Sequence, residues 1–338
     1  MLKIEKNFEL QKFNTLKLSA NAEFFAVVFS KEEILEAISW AKAKNVPIFV
    51  LGGGSNILIS KKIKGLVLKN EIKGTGVVAE DKESVTFSAL SGENWTHFVH
   101  LAAENGWYGV ENLYLVPGTV GAAPVQNIGA YGVELKDTFD HLVAINLQNG
   151  KEKIFTAKDC YFAYRNSIFK NKLKGKYFIY SVALRLNKKA SLKLDYGDIR
   201  VKLVEKGIKK PNLKQIVVAI QDIRNSKLPS PAVLANAGSF FKNPEISISD
   251  FRKLEKLFPG IKSFPAGKKV KVPAGWLIEQ AGFKGKKFGK VGVYEKQALI
   301  LVNYGGATAK DLLALVKNIK KTVKKLFSID LEEEVNII

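Results

Sequence analysis

The chain of 338 residues holds one cysteine, Cys160, one methionine and three histidines. A lone thiol forms no internal disulfide, and it excludes a four-cysteine zinc site. Three histidines leave little for a histidine-rich metal centre, so no metal is expected. No apolar run approaches the ~18 residues of a membrane-spanning helix. The first ten residues, MLKIEKNFEL, lack the apolar stretch and small-residue cleavage site of a signal peptide. A cytoplasmic protein is therefore expected. The length suits two or three domains, and a chain this long buries about three-quarters of its unfolded surface.

What the chain has in excess is positive charge: 53 Lys and Arg against 32 Asp and Glu, a formal net charge of +21. Such a field attracts anions, whether nucleic acid, membrane surface or phosphorylated small molecules, and it also serves plain solubility. Between Lys262 and Lys290 eight lysines face a single acid, Glu279. This is either a phosphate-attracting region or a solvated face. No helix-turn-helix, zinc finger or RNA-recognition signature accompanies it, which argues against nucleic-acid readout.

The pattern of elements is mixed. Ser30 to Glu33 reads as a capping box opening a helix to about residue 44, with Ile34, Leu35, Ile38 and Ala41 on one face. Val46 to Leu51 is a short apolar run, expected as a buried strand. Residues 94–106 read as a helix with Trp95, Phe98, Val99, Ala102 and Ala103 inward. Strands are expected at 142–147, 177–186 and 297–303, and helices at about 248–258 and 275–281. Thr308 to Asp311 caps a long helix carrying Leu312, Leu315, Val316, Ile319, Val323 and Leu326, and residues 329–338 read as a terminal strand. The proline-bearing stretch 227–231 is a natural boundary.

Several segments could carry chemistry. Leu51 to Asn56 (LGGGSN) follows an apolar run, and its backbone can approach a ligand closely or form an anion nest. It matches neither the dinucleotide fingerprint nor the P-loop, and a tight turn is the competing explanation. Val116 to Gly132 has four glycines and three alanines in seventeen residues. That is too little bulk for an ordinary polar loop, so either a large group lies on it or another element packs closely. Two such segments favour an extended phosphorylated cofactor; without the usual fingerprint, that suggests FAD. Arg165, among aromatic neighbours, needs an anion or a full set of acceptors. Ser239, in Asn236 to Pro244 (NAGSFFKNP), has no evident His/Asp pair to make it a nucleophile. It is a helix cap or a proton donor to a strongly basic acceptor. Glu332, Glu333 and Glu334 would alternate faces on a strand.

In order along the chain, Gly52–Asn56, Val116–Gly118, Gln126–Gly132, Tyr164–Phe169, Lys227–Pro229, Asn236–Pro244, Ala274–Gln280 and Leu331–Val335 give the chain a resemblance to the UDP-N-acetylenolpyruvoylglucosamine reductase family. The resemblance runs nearly end to end, and it is to the longer form with a tyrosine loop. It implies an α+β fold: a two-lobed FAD-binding region of the vanillyl-alcohol-oxidase type plus an α+β substrate-binding domain. The divisions it suggests are 1–70 and 71–226 for the FAD lobes, 227–328 for the substrate domain and 329–338 for a strand returning to the active site.

By the same resemblance, FAD contacts fall at Gly52, Gly53, Gly54, Ser55, Asn56, Pro117, Gly118, Thr119, Gly121, Ala122, Gln126, Asn127, Gly129 and Ala130. Substrate contacts fall at Tyr131, Tyr164, Tyr196, Lys227, Asn243, Lys284 and Gln297. Arg165, Ser239 and Glu334 are the implied catalytic residues. NADPH is the implied reductant and a UDP-sugar the substrate, in peptidoglycan precursor synthesis and hence cell-wall biogenesis, with no nucleic-acid or membrane partner and a monomeric state. Relatives in the family often have an arginine after the Glu-Val of the last motif, where this chain has Asn336. Another FAD-dependent oxidase or dehydrogenase of the same fold class, or a basic nucleic-acid-binding protein, would be the competing identities.

Overall fold

A computed structural model describes residues 2–194 and 197–338. The chain divides into two compact units: residues 1–9, 21–54 and 62–226 form the first, and residues 10–20, 55–61 and 227–338 the second.

The first unit is built on two sheets. One has the order Glu5–Glu9, Asn21–Val28, Ile63–Asn70, Ile48–Leu51, and its last three strands are parallel. Ile63–Asn70 is buried along nearly its whole length, as a central parallel strand requires. Ile48–Leu51 lies at the edge and is half-buried, not enclosed as its apolar sequence suggests. The helix Lys31–Ala43 packs Ile34, Ala37, Ile38 and Ala41 into a core with Ala26, Val28, Leu66 and Leu68. Leu35 points outward and Ala37 takes its place, because 34, 37, 38 and 41 keep the 3–4 spacing of one helical face. The Ser30 hydroxyl accepts from Glu33 N–H at 3.3 Å, but the Glu33 carboxylate accepts from Phe29 N–H, one residue earlier than a reciprocal box requires.

The second sheet is antiparallel, with the order Glu152–Thr156, Phe139–Asn146, Tyr177–Asn187, Ser84–Leu90, Thr75–Glu80. The helix Trp95–Glu104 turns all five of its expected core residues inward. Phe98 stacks on Phe87 with centroids 4.6 Å apart, and Trp95 Nε1 donates to Leu113 O at 3.0 Å. Two further helices, Gly197–Glu205 and Leu213–Lys227, join Ile199, Leu203, Ile216, Ile220 and Ile223 in a smaller core.

The second unit centres on a four-stranded sheet, Ala235–Ser239, Ile300–Asn303, Val291–Val293, Lys287–Phe288. The expected strand at 297–303 is shortened to Ile300–Asn303, since Gln297 sits in a turn and accepts from Ile300 N–H. The helix Ala309–Phe327 starts with a reciprocal capping box between Thr308 and Asp311. It buries Leu312, Leu315, Val316, Ile319, Val323 and Phe327. Leu326, expected inside, is half exposed, because Phe327 is the residue four on from Val323 and fills the groove. The terminal strand is only Asn336–Ile337, parallel to Ile57–Leu58. Leu331–Val335 is irregular apart from a bridge between Phe241 and Glu333, so the three glutamates do not alternate as on a strand. No helix among the described residues is long and apolar enough to cross a membrane.

Candidate functional site

In the first unit the two low-bulk segments lie side by side. A methyl group on Gly52 would stand 2.8 Å from Thr119 Oγ1, and one on Gly53 would stand 3.2 Å from the Gly118 Cα. Two backbones meet here with almost no side chain between them. Gly54 is left-handed (φ 65°), which closes the turn. Thr119 is buried and its hydroxyl has no hydrogen-bond partner among the described residues, so it lacks the satisfaction buried polar groups normally have. Ser55 and Asn56, the rest of the motif, belong to the second unit.

The longer segment is not uniformly open. Val120, Ala123 and Ile128 enter the core of the antiparallel sheet, and a methyl on Gly121 would stand 2.4 Å from Ser91 Cβ. Gly121 is therefore small because an element packs on it, whatever else it touches. Pro117 and Ala122 are exposed, and Gln126, Gly129 and Ala130 are half-buried.

Arg165 sits in a tight hairpin closed by paired backbone bonds between Ala163 and Asn166. Its backbone is left-handed at φ 51°, an uncommon state for a side chain of this size. Asn127, Tyr131 and Tyr161 nearby are left-handed too. Such strain concentrates where surrounding structure over-determines a geometry. The guanidinium donates from Nη2 to Gly129 O at 2.6 Å and lies 5.4 Å from the Tyr164 ring centroid. The Tyr131 carbonyl accepts from Asn112 Nδ2 at 2.9 Å, and its ring packs against the two-helix core.

Two features here escape a reading of the sequence. Arg224, one helical turn before Lys227, hydrogen-bonds the Tyr131 side chain, and burial lowers its proton affinity while Tyr131 opposes that. Glu111 is almost fully buried, which pushes its carboxyl above the usual carboxylate range, although it accepts from Gly109 N–H at 2.7 Å. A basic residue next to Lys-Leu-Pro was the only available pointer to Arg224. Cys160, fully buried, is pushed up to about 12 by desolvation, so its thiol is inert at physiological pH.

In the second unit, Ser239 ends the strand Ala235–Ser239, opposite Ile300. A bulge before it is made by left-handed Gly238, whose N–H donates to Asn236 Oδ1 at 2.9 Å. The next residue, Phe240, has its N–H on Leu299 O, and its carbonyl accepts from Glu334 N–H at 2.8 Å. Ser239 and Glu334 are thereby held close through a main-chain bond. Glu332 pairs with Lys242 and Glu333 with Lys320 (2.7 Å). Asn336 donates to Asn56 O from both its backbone N–H and its Nδ2 (3.0 and 3.1 Å), and Asn56 Nδ2 donates to Glu334 O at 3.3 Å. The residue that departs from the family pattern thus braces the segment bearing Glu334.

The remaining expected substrate residues are mostly local anchors. Asn243 Oδ1 accepts from Ala274 N–H at the start of the helix Ala274–Gln280, Gln297 Oε1 accepts from Leu299 N–H at 3.3 Å, and Lys284 pairs with Glu279 at 2.8 Å. Lys227 ends the helix Leu213–Lys227 and is half-buried. Tyr196 lies outside the described residues. Much of the lysine cluster is a solvated face, with Lys271 near Glu245 and Lys287 over the Tyr304 ring.

Comparison with known proteins gives consistent results. Residues 230–338 match the family model "UDP-N-acetylenolpyruvoylglucosamine reductase, C-terminal domain", and residues 22–158 match "FAD binding domain". UDP-N-acetylenolpyruvoylglucosamine reductase of Flavobacterium johnsoniae is 46% identical over all of both chains. The enzyme of that name from Bdellovibrio bacteriovorus is 45% identical over 98% of this chain and 99% of its own. The crystal structure of UDP-N-acetylenolpyruvylglucosamine reductase from Thermus caldophilus superposes with a TM-score of 0.68 at 23% identity, covering 100% of this chain and 99% of that one, which shows a shared fold.

Proposed function

The chain belongs to the UDP-N-acetylenolpyruvoylglucosamine reductase family, and from that premise we propose that it reduces the enolpyruvyl group of UDP-N-acetyl-3-O-(1-carboxyvinyl)-glucosamine to give UDP-N-acetylmuramate, with NADPH as reductant. It is an oxidoreductase with FAD as its cofactor. FAD, when bound, supplies the hydride-transfer chemistry. The chain's own residues fit it: Gly52, Gly53 and Gly118 let two backbones approach closely, and the buried Thr119 hydroxyl beside them has no hydrogen-bond partner among the described residues.

The residues' roles follow from what they can do to a vinyl ether carboxylate. Reduction at the terminal carbon builds charge on the adjacent carbon and into the carboxylate. Arg165, permanently charged, stabilises that charge electrostatically. Ser239 protonates the carbon. A serine hydroxyl is a weak acid, but a carbanion is basic enough to take its proton, so no partner base is needed. The unit that contains Ser239 has no histidine at all: His97, His100 and His141 all fall in the other. Glu334 either donates a hydrogen bond in its protonated form or orients the arginine. Tyr131, Tyr164, Tyr196, Lys227, Asn243, Lys284 and Gln297 are proposed substrate contacts. The protein is proposed to act as a cytoplasmic monomer, in divisions 1–70, 71–226, 227–328 and 329–338.

One observation supports this reading most: Ser239 stands at a bulged strand end, beside a Glu334 tethered through the Phe240 carbonyl. The test is a pair of half-reactions. NADPH should bleach the flavin absorbance of the purified holoprotein, and the enolpyruvyl sugar nucleotide should restore it. A colourless protein that takes up no FAD, or a bleached one indifferent to the sugar nucleotide, overturns the proposal.

A further inference from the structure

The hairpin bearing Arg165 is tied to the glycine-rich segment at three alternating positions. Ser167 Oγ donates to Val125 O at 2.6 Å, Asn127 Nδ2 donates to Ala163 O at 3.1 Å, and Arg165 Nη2 donates to Gly129 O at 2.6 Å. Residues 163, 165 and 167 of the hairpin thus meet residues 127, 129 and 125 of the segment. Asn127 is the hub. It is fully buried and left-handed at φ 46°. Its second amide N–H donates to Glu134 Oε2 at 3.0 Å, and its Oδ1 accepts from Lys136 N–H at 3.0 Å. Glu134 in turn is neutralised by Lys136 Nζ at 2.8 Å. Both donors of the amide are spent on the protein, and the side chain is shut off from any ligand.

We infer that Asn127 is a positioning residue for Arg165 and not a cofactor contact. Its amide fixes the hairpin on one side of Arg165 as Ser167 fixes it on the other, so the guanidinium meets the developing carboxylate charge already oriented. An asparagine is suited to this place: it tolerates the left-handed backbone, and its amide joins the Ala163, Glu134 and Lys136 segments at once. Preorganisation of this kind acts only on the step in which charge develops. The inference rests on the proposed role of Arg165 in reducing the enolpyruvyl group.

The test uses the FAD holoprotein of wild type, Asn127→Gly, Ser167→Ala, Arg165→Gln and the Asn127→Gly/Arg165→Gln double variant. Glycine keeps the left-handed backbone and removes only the amide, and Ser167→Ala loosens the same hairpin from its other side should the first variant fold poorly. Asn127→Gly is expected to bind FAD, and to be reduced by NADPH, within about twofold of wild type. Its reoxidation by the enolpyruvyl sugar nucleotide should slow by roughly tenfold or more, about the cost of one lost well-placed hydrogen bond. In the Arg165→Gln background removing Asn127 should add almost nothing, because both changes then disable one interaction. A fall of about tenfold in FAD affinity makes Asn127 a cofactor contact and overturns the inference; so does equal slowing of both half-reactions, or full additivity with Arg165→Gln. If Arg165→Gln itself leaves reoxidation intact, the role proposed for Arg165 fails instead, a result separable from the others.

Discussion

Arg165 and Ser239 are mounted in opposite ways. Ser239 is carried by ladder hydrogen bonds, a strand end with a glycine bulge behind it and the Glu334 segment docked by backbone N–H to carbonyl. Arg165 is carried by side chains: a left-handed hairpin bolted down by Ser167, Asn127 and its own guanidinium. A mostly backbone mount tolerates changes in neighbouring side chains better, because side-chain bonds such as Asn56 Nδ2 to Glu334 O and Gly238 N–H to Asn236 Oδ1 only supplement the main-chain hold. A side-chain mount does not. Replacing Ser239 should therefore delete one chemical function cleanly, whereas the arginine's function should be lost from several neighbouring positions as well.

The largest expected effect is at Ser239. Ser239→Ala removes the proton donor and leaves its backbone bonds, so turnover of the sugar nucleotide should fall by about 10²–10⁴-fold, with NADPH reduction near wild type; rapid-kinetic absorbance of the two half-reactions separates them. Arg165→Lys should cost about 10²–10³ in the second half-reaction, since a point charge cannot hold both the Gly129 carbonyl and a planar carboxylate. Wild-type rates for Arg165→Lys would mean that charge alone suffices.

Gly129→Ala disturbs the arginine's mount without replacing Arg165, Ser239 or Glu334. Its methyl would stand 2.7 Å from Arg165 Nη1 and 3.0 Å from Val133 O. The carbonyl is fixed, so the guanidinium must move, and a loss of roughly tenfold in the second half-reaction is expected, short of the ~10² that a 1 Å misplacement can cost. No loss would show that the arginine's mount is not rigid.

Smaller still is Asn336→Ala, which removes one part-buried bond to Asn56 O and keeps the backbone bond beside it. Destabilisation of about 1 kcal/mol in a denaturant melt is expected. A large loss of activity there would contradict the backbone character of the Glu334 mount. Last, Cys160, with its thiol pushed up to about 12 by burial, stays protonated at pH 8.5, where an ordinary cysteine is substantially ionised. A thiol reagent at that pH should label it only on unfolding. Rapid labelling of the native protein would place this part of the Arg165 unit among opening segments.

The sequence carried the helices best. Thr308 with Asp311 and the 3–4 spacing after them predicted Ala309–Phe327, and only the last inward residue shifted, from Leu326 to Phe327. Leu213–Lys227 is not among the expected elements, although Leu213, Ile216, Val217, Ile220 and Ile223 repeat at helical spacing. The terminal run of acidic and apolar residues resembled a strand, but its pairing is decided by partners far away in sequence, Phe240, Phe241 and Ile57, which no local pattern reveals. In the candidate site, residue identity was legible and mounting was not. Left-handed backbone at Tyr131 and Arg165 leaves no mark in residue type, and neither does the pairing of Arg224 with Tyr131.

The claim at the centre is that Ser239 hands a proton to the reduced enolpyruvyl carbon. Anaerobic addition of the enolpyruvyl sugar nucleotide to NADPH-reduced Ser239→Ala holoprotein, followed by absorbance in the flavin band, tests it most directly. The bleached spectrum is expected to persist for times at least about a hundredfold longer than in wild type. Recovery of the yellow band at the wild-type rate would contradict it.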